Sequence, residues 1–155
     1  MDFESVVDIL HFAMSKEQAS QQFYLDLASQ MKDSITQNVF LAIAKQEEKH
    51  EEAIKLEILK QGYTLSSVET DPAVESDYQW QERLELNEDA KSMSYVDALM
   101  VAIQKERASF QLYTQLISMT QDMTFRKVLL DLAEEEMRHV IQFEREYDSV
   151  THQHG

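Results

Sequence analysis

The chain has 155 residues, and its 14 basic against 29 acidic side chains give it a formal net charge of −15. This charge disfavours nucleic acids and anionic membranes as partners, because their phosphates would be repelled. The absence of cysteine excludes disulfides, thiolate-bound zinc and iron–sulfur centres, and 2 glycines and 1 proline are too few for the frequent turns of a β-protein.

Length and hydropathy favour a single domain, which we take as residues 1–155. No apolar run approaches the ~18–20 residues that cross a membrane. The first ten residues include Asp2, Glu4 and Asp8, which a signal peptide would not carry. We therefore expect a cytoplasmic protein.

The spacing of apolar residues predicts four long helices. In chain order they are expected to span about Phe3–Met31, Asp33 or Ser34 to Gln61, Ser94–Met119, and Asp122–Asp148. Asp33 or Ser34 is the expected N-cap of the second helix. Residues 149–155 are expected to fray.

About 30 residues, 63–93, separate the second helix from the third. Two antiparallel hairpins, about 3–62 and 94–148, need a long crossover if they are to pack with a two-fold relation. A helix of ~28 residues is ~42 Å long, a distance that such a connection can span. The predicted architecture is all-α, with two helix hairpins joined by a long crossover into a four-helix bundle.

The sequence repeats itself with an offset of 89 residues. Residues 7–50 align with residues 96–139 without a gap, and 18 of the 44 positions are identical. Shared helical composition does not readily account for this identity. The repeating unit is a helix pair, and two copies make four helices.

Two Glu-x-x-His pairs stand at equivalent positions of the repeat, Glu47 with His50 and Glu136 with His139. All four residues fall where the apolar pattern requires an inward-facing side chain. Residues three apart lie on neighbouring parts of one helix face. Each pair can therefore offer one metal ion a nitrogen and a carboxylate oxygen.

A lone glutamate precedes each pair by 30 residues, Glu17 in the first copy and Glu106 in the second. A buried, unpaired carboxylate costs several kcal/mol, and neither lysine nor arginine falls on these apolar seams near the four glutamates. Two divalent cations would balance the four glutamates with both histidines neutral. Mixed imidazole and carboxylate ligands suit iron or manganese and tolerate zinc.

Each of these features alone has an ordinary explanation. A Glu-x-x-His pair is frequent by chance in a glutamate-rich helix, and a single glutamate in a seam is usually a surface residue. Their joint occurrence at equivalent places in a repeat favours a metal site. Tyr24 and Tyr113 follow the lone glutamates by seven residues. They are either hydroxyl donors to a ligand carboxylate or ordinary core aromatics.

Four segments resemble the ferritin-like superfamily and, within it, the rubrerythrin-related proteins. They are KEQASQQFY (16–24), AKQEEKH (44–50), KERASFQLY (105–113) and AEEEMRH (133–139). Glutamate with Glu-x-x-His on inward-facing helices is the ligand pattern of ferritin-like carboxylate proteins. The resemblance implies a di-iron site whose terminal ligands are Glu17 and Glu106, whose bridging ligands are Glu47 and Glu136, and whose histidine ligands are His50 and His139.

The same resemblance implies an oxidoreductase of oxidative stress, which reduces hydrogen peroxide or oxygen. Rubrerythrins usually carry a cysteine-ligated electron-donating domain, so this cysteine-free chain would need an external donor protein. They also tend to carry an extra glutamate on the third helix, where this chain has Ile103 and Ser109. That departure favours one alternative, a ferroxidase or iron-binding protein without peroxidase turnover. A structural bundle with zinc or no metal is the other alternative. A homodimer is expected, and the long crossover also permits domain swapping.

Overall fold

A computed structural model of the chain describes residues 5–63, 65 and 93–152. Within these ranges every regular element is an α-helix. The helices are α1 (Val6–Ser29), α2 (Ser34–Lys60), α3 (Tyr95–Ser118) and α4 (Met123–His152). The predicted crossover, apart from residues 63, 65 and 93, lies outside the described residues, and the single domain remains a prediction.

Side-chain caps determine where the helices begin. Asp33 caps α2, because its Oδ1 accepts a hydrogen bond from the backbone N–H of Thr36 at 2.8 Å. Asp122, the equivalent residue of the repeat, accepts from the backbone N–H of Phe125 at 3.0 Å. Such a carboxylate satisfies one of the N–H groups that the first helical turn leaves unpaired. The two caps confirm the predicted starts of the second and fourth helices.

The last helix is longer than predicted. The expectation that the fourth helix ends at about Asp148 is wrong for residues 149–152, which are helical. The Thr151 hydroxyl donates to the carbonyl of Tyr147 at 2.8 Å, and His152 Nδ1 lies 2.7 Å from the carbonyl oxygen of Asp148. These side-chain contacts support a final turn whose polar sequence suggested fraying.

The first hairpin consists of α1 packed against α2. A four-residue connection joins the helices, so they run antiparallel. The buried apolar residues of its predicted seams are Leu10, Ala13, Tyr24, Leu27, Phe40, Ile43, Ile54 and Ile58. Glu17, Glu47 and His50 fall within this series, so the apolar packing holds the polar side chains in place.

The second hairpin consists of α3 packed against α4. The buried apolar residues of its predicted seams are Leu99, Ala102, Tyr113, Leu116, Leu129, Leu132 and Phe143. Tyr147, one helical turn beyond Phe143 in α4, is only partly buried. The chain divides into two compact units, one around each hairpin. In the part of the chain that the structure describes, no helix is long and apolar enough to cross a membrane.

Candidate metal centre

The first hairpin brings together Glu17 from α1 with Glu47 and His50 from α2, a group called here the first triad. The two glutamates are almost completely buried, and the His50 side chain is 14% exposed. His50 Nδ1 lies 3.6 Å from Glu17 Oε2 and 4.0 Å from Glu47 Oε1. One ligand atom from each residue lies within 4.8 Å of the others, a spacing that could hold a metal ion.

The second hairpin repeats this arrangement with Glu106 from α3 and Glu136 and His139 from α4, the second triad. His139 Nδ1 lies 3.4 Å from Glu106 Oε1, and the His139 side chain is only 2% exposed. Ligand atoms of the three residues again lie within 4.8 Å of one another. The two triads are therefore alike in composition, but the histidine of the second is more enclosed.

The environment of Glu106 favours its ionised form. Burial by itself would raise its pKa, but hydrogen bonds with Glu136 and His139 and the positive charges of His139 and Lys105 lower the pKa to about 2. A carboxylate that stays ionised is the form that binds a cation. Glu106 is thus the carboxylate of the second triad that is held in the form able to bind a cation.

Both tyrosines that the sequence singled out are buried. Tyr24 is fully enclosed. The centroid of its ring lies 5.0 Å from that of Phe23, in an edge-to-face contact, and 6.4 Å from that of Phe40, in a stacked contact. Tyr113 is 2% exposed. These contacts show that the Tyr24 ring contributes to the core, and the role of both hydroxyls as donors to a ligand stays a prediction.

Two buried lysines beside the triads were not predicted from the sequence. The apolar seams contain neither lysine nor arginine near the glutamates, yet Lys16 and Lys105 are 4% and 1% exposed and directly precede Glu17 and Glu106. Neither lysine falls in the stripe of apolar residues spaced i, i+3, i+4. Both are buried nevertheless, because α1 and α3 bury a wider part of their surface than that stripe covers. The feature of the sequence that could have indicated their burial is that lysine occupies the same position in both copies of the repeat. Because these two lysines add buried positive charge, two divalent cations are not the only charges that can oppose the four glutamates.

Glu51, the residue after His50, is a buried hydrogen-bond acceptor. Gln18 Nε2 donates to its Oε2 at 2.5 Å, Gln21 Nε2 donates to its Oε1 at 2.8 Å, and Lys55 Nζ lies 3.2 Å from Oε2. Gln18 follows Glu17, and Glu51 follows His50. These bonds therefore tie the two helices together beside the first triad.

The donor atoms of each triad fit a metal ion. Each triad offers one imidazole and two carboxylates, the mixture that iron, manganese and zinc accept. The helices that carry the triads place their ligand atoms close enough to share one ion. Buried glutamates in this number are also more readily explained by cation binding than by packing.

Comparison with known proteins identifies the family. The sequence model of the rubrerythrin family matches residues 8–147. This chain belongs to the rubrerythrin family. The match covers both hairpins and all six triad residues, so the resemblance found in the four sequence segments is confirmed. Among curated proteins, none matches this rubrerythrin-family chain by sequence.

Solved structures resemble this rubrerythrin-family chain in fold. A hypothetical protein of Methanococcus jannaschii is 20% identical, with a TM-score of 0.73, over 97% of this chain and 85% of its own. A dodecameric thioferritin of Bacteroides fragilis, described as bacterioferritin-related, is 20% identical, with a TM-score of 0.67, over 99% of this chain and 89% of its own. A hypothetical protein of Pyrococcus furiosus is 17% identical, with a TM-score of 0.64, over 97% of this chain and 92% of its own. The predicted all-α, ferritin-like fold is confirmed.

Proposed function

We propose that this protein is a non-haem di-iron oxidoreductase that reduces hydrogen peroxide, or oxygen, with electrons from an external donor protein. The observation that carries the proposal is the duplicated, buried triad of two glutamates and one histidine. The family match supports iron as the metal, since rubrerythrins usually bind iron. Manganese and zinc suit the same ligands. A role in oxidative stress and a cytoplasmic location belong to the same proposal.

The two triads together supply the six ligands proposed for two iron ions. The roles carried over from the family are terminal ligation by Glu17 and Glu106, bridging by Glu47 and Glu136, and imidazole ligation by His50 and His139. When bound at these residues, two ferrous ions would supply the two electrons that, with two protons, reduce one hydrogen peroxide to two waters, and the external donor would then return two electrons. The protein contributes ligand geometry, enclosure and charge.

Tyr24 and Tyr113 are proposed to donate their hydroxyl hydrogen bonds to ligand carboxylates. Such a donor would fix the orientation of the carboxylate and tune the metal. Tyr113→Phe keeps the ring and removes the hydroxyl. We expect unchanged iron stoichiometry with a shifted ferric absorption spectrum, whereas a purely packing role would leave the spectrum unchanged.

A ferroxidase, which oxidises ferrous iron without sustained peroxidase turnover, is the second candidate. The observation that favours it is the absence of an extra carboxylate on α3. Ile103 and Ser109 occupy the relevant positions, both are buried, and Ser109 accepts a hydrogen bond from Lys105. Neither side chain can take the place of a carboxylate ligand.

Anaerobic ferrous loading of the metal-free protein, followed by hydrogen peroxide, tests the proposal. We expect about two irons per chain, the number that the ligand set serves, and rapid formation of ferric absorption. Glu136→Gln should lower the stoichiometry, because an amide is a weaker ligand than a carboxylate. Glu134→Gln is the matched control, because Glu134 is exposed on the same helix and should change nothing.

The outcomes separate the candidates. Continued peroxide consumption with a chemical reductant present supports the peroxidase. A single oxidation of bound iron without turnover supports the ferroxidase. Retention of two irons by Glu136→Gln would contradict the ligand assignment, and failure of the wild-type protein to bind iron would leave a structural bundle with zinc or no metal.

A homodimer is the proposed assembly, and domain swapping between two chains is compatible with the same ligand set. The Bacteroides fragilis thioferritin is described as dodecameric, which makes a larger assembly the alternative. Light scattering of the purified protein distinguishes the two. A mass near twice 18.1 kDa supports the dimer, and a much larger mass contradicts it.

A further inference from the structure

Each hairpin buries one lysine directly before the lone glutamate of its triad. Lys16 precedes Glu17 in α1 and Lys105 precedes Glu106 in α3, and these lysines are 4% and 1% exposed. Lysine is almost never fully buried unless its charge is matched. Two such residues at equivalent positions of a repeat therefore indicate a specific electrostatic role.

The ammonium group of Lys105 stays inside the protein. Its Nζ donates to Ser109 Oγ at 3.4 Å, one helical turn along α3, in buried surroundings. Its charge also helps to lower the pKa of Glu106. Ser20 is the equivalent of Ser109 in the first hairpin and is also buried, at 4% exposure. The spacing Lys-x-x-x-Ser thus recurs in both hairpins.

Each triad contains two carboxyl groups, and one buried lysine directly precedes the lone glutamate in each hairpin. The charge of Lys105 acts on Glu106, and Lys16 occupies the equivalent position beside Glu17. Removing one member of a buried charge set is strongly destabilising, because it leaves the opposite charge uncompensated. A metal-free triad without its lysine would keep its buried ionised carboxylate without the charge that this lysine supplies.

We propose that Lys16 and Lys105 are internal counterions that keep the metal-free protein folded, so that the triads can take up and release divalent cations without unfolding. The role rests on the proposed function only because the ligand glutamates are the anions that the lysines offset. A bound cation and the ammonium group compete for the same carboxylate charge. The lysines therefore stabilise the empty site and weaken cation binding together.

Lys105→Met tests this role in the full-length protein, because methionine keeps the unbranched stem and removes the charge. Thermal unfolding is measured on metal-free protein and at saturating Zn²⁺, which has no redox chemistry of its own. We expect Lys105→Met to lower the Tm of the metal-free protein and to lower that of the Zn²⁺-loaded protein much less. Calorimetric titration should show Zn²⁺ bound about tenfold more tightly, the change expected when a nearby like charge is removed.

Two further variants make the comparison specific. Lys127→Met is the matched control, because the Lys127 side chain is 76% exposed and its ion pair with Asp131 is on the surface. It should change neither the metal-free Tm nor Zn²⁺ affinity appreciably. The double variant Lys105→Met with Glu106→Gln removes both opposite charges and should recover metal-free stability that Lys105→Met loses.

The counterion role is overturned if metal-free Lys105→Met is as stable as the wild type, or if it loses the same Tm with and without Zn²⁺. If the variant is unfolded without metal, folding on addition of Zn²⁺ supports the role. Failure to fold with Zn²⁺ contradicts it. Should wild-type protein bind no Zn²⁺, the proposed metal site fails, while the Tm comparison of the metal-free proteins still tests the charge pairing of Lys105 and Glu106.

Discussion

Glu51 is a residue at which burial and hydrogen bonding act in opposite directions. Burial would raise the pKa of its carboxyl group, but the hydrogen bonds from Gln21 and Gln18 and the ion pair with Lys55 lower the pKa below its ordinary value. The ionised form is therefore the one that stabilises the fold. The equivalent position of the second hairpin is Val140, so this polar cluster belongs to the first hairpin alone.

We predict that Glu51→Gln lowers the free energy of unfolding at pH 7 by about 1.5–3 kcal/mol, the range for hydrogen bonds to a charged group. In the variant, the side-chain NH2 group of the new glutamine would replace one of the two acceptor oxygens of Glu51. That NH2 group would then face the NH2 group of Gln18 or Gln21, and two donors cannot form a hydrogen bond. Because the folded-state pKa is depressed, the stabilisation is present above the unfolded pKa of about 4.3 and is lost as the pH falls through the folded pKa. The difference between wild type and variant should therefore shrink below pH ~4.

Urea denaturation of both proteins across this pH range measures that difference. Glu52→Gln is the matched control, because Glu52 is exposed beside Glu51 and should have little effect. A difference between wild type and Glu51→Gln that stays constant from pH 7 to pH 3 would contradict the electrostatic account. It would indicate that the carboxylate acts only through packing.

At the scale of single elements, the repeat gives two N-caps that can be compared directly. Asp33 and Asp122 occupy equivalent positions, and each accepts a hydrogen bond from the backbone N–H three residues on. Replacing such a cap by alanine typically costs about 1 kcal/mol. We predict that Asp33→Ala and Asp122→Ala each lower the free energy of unfolding by about this amount, as measured by urea denaturation.

Asp131→Ala provides the control for the cap variants. Asp131 is an exposed mid-helix residue of α4 in an ion pair with Lys127, and such a surface pair contributes little to stability. Its substitution should change the free energy of unfolding by less than either cap variant does. Cap variants that are no less stable than Asp131→Ala would show that the helix starts do not depend on these side chains.

The starts of the second and fourth helices were predictable because they depend on local chemistry that the sequence displays. Asp33 and Asp122 lie directly before helical periodicity, and the structure confirms the predicted cap at Asp33 and shows an equivalent one at Asp122. The end of α4 was not predictable in this way. The polar residues at the end of α4 show no apolar periodicity from which a helix could be predicted. The contacts of Thr151 and His152 with the preceding turn form only when that turn is helical.

At the scale of the whole molecule, the repeat carried the prediction of the fold and of the triads. It placed Glu47 and Glu136 at equivalent points of two apolar faces, and the structure buries both. The repeat alone did not reveal that Lys105 is buried, because burial outside the apolar stripe depends on tertiary packing. The crossover stays a prediction, since residues 66–92 lie outside the described part of the chain.

The net charge of −15 also belongs to this scale. Repulsion among like charges destabilises a compact state, and added salt screens it by shortening the Debye length from ~30 Å at 0.01 M to ~8 Å at 0.15 M. We predict that the Tm of the metal-free protein rises by a few degrees over this range of sodium chloride. A monovalent salt is required, because divalent cations would also bind the triads.

A charge-reduced variant shows whether the salt effect arises from net charge. Glu52 and Glu134 are exposed, one on each hairpin, and changing both to lysine reduces the negative charge by four units. This variant should have a higher Tm than the wild type at low salt, and its Tm should rise less when salt is added. Because the substitutions leave the triads and the buried lysines intact, the two proteins should converge at high salt. A wild-type Tm that falls with sodium chloride would mean that attractive surface pairs outweigh the repulsion.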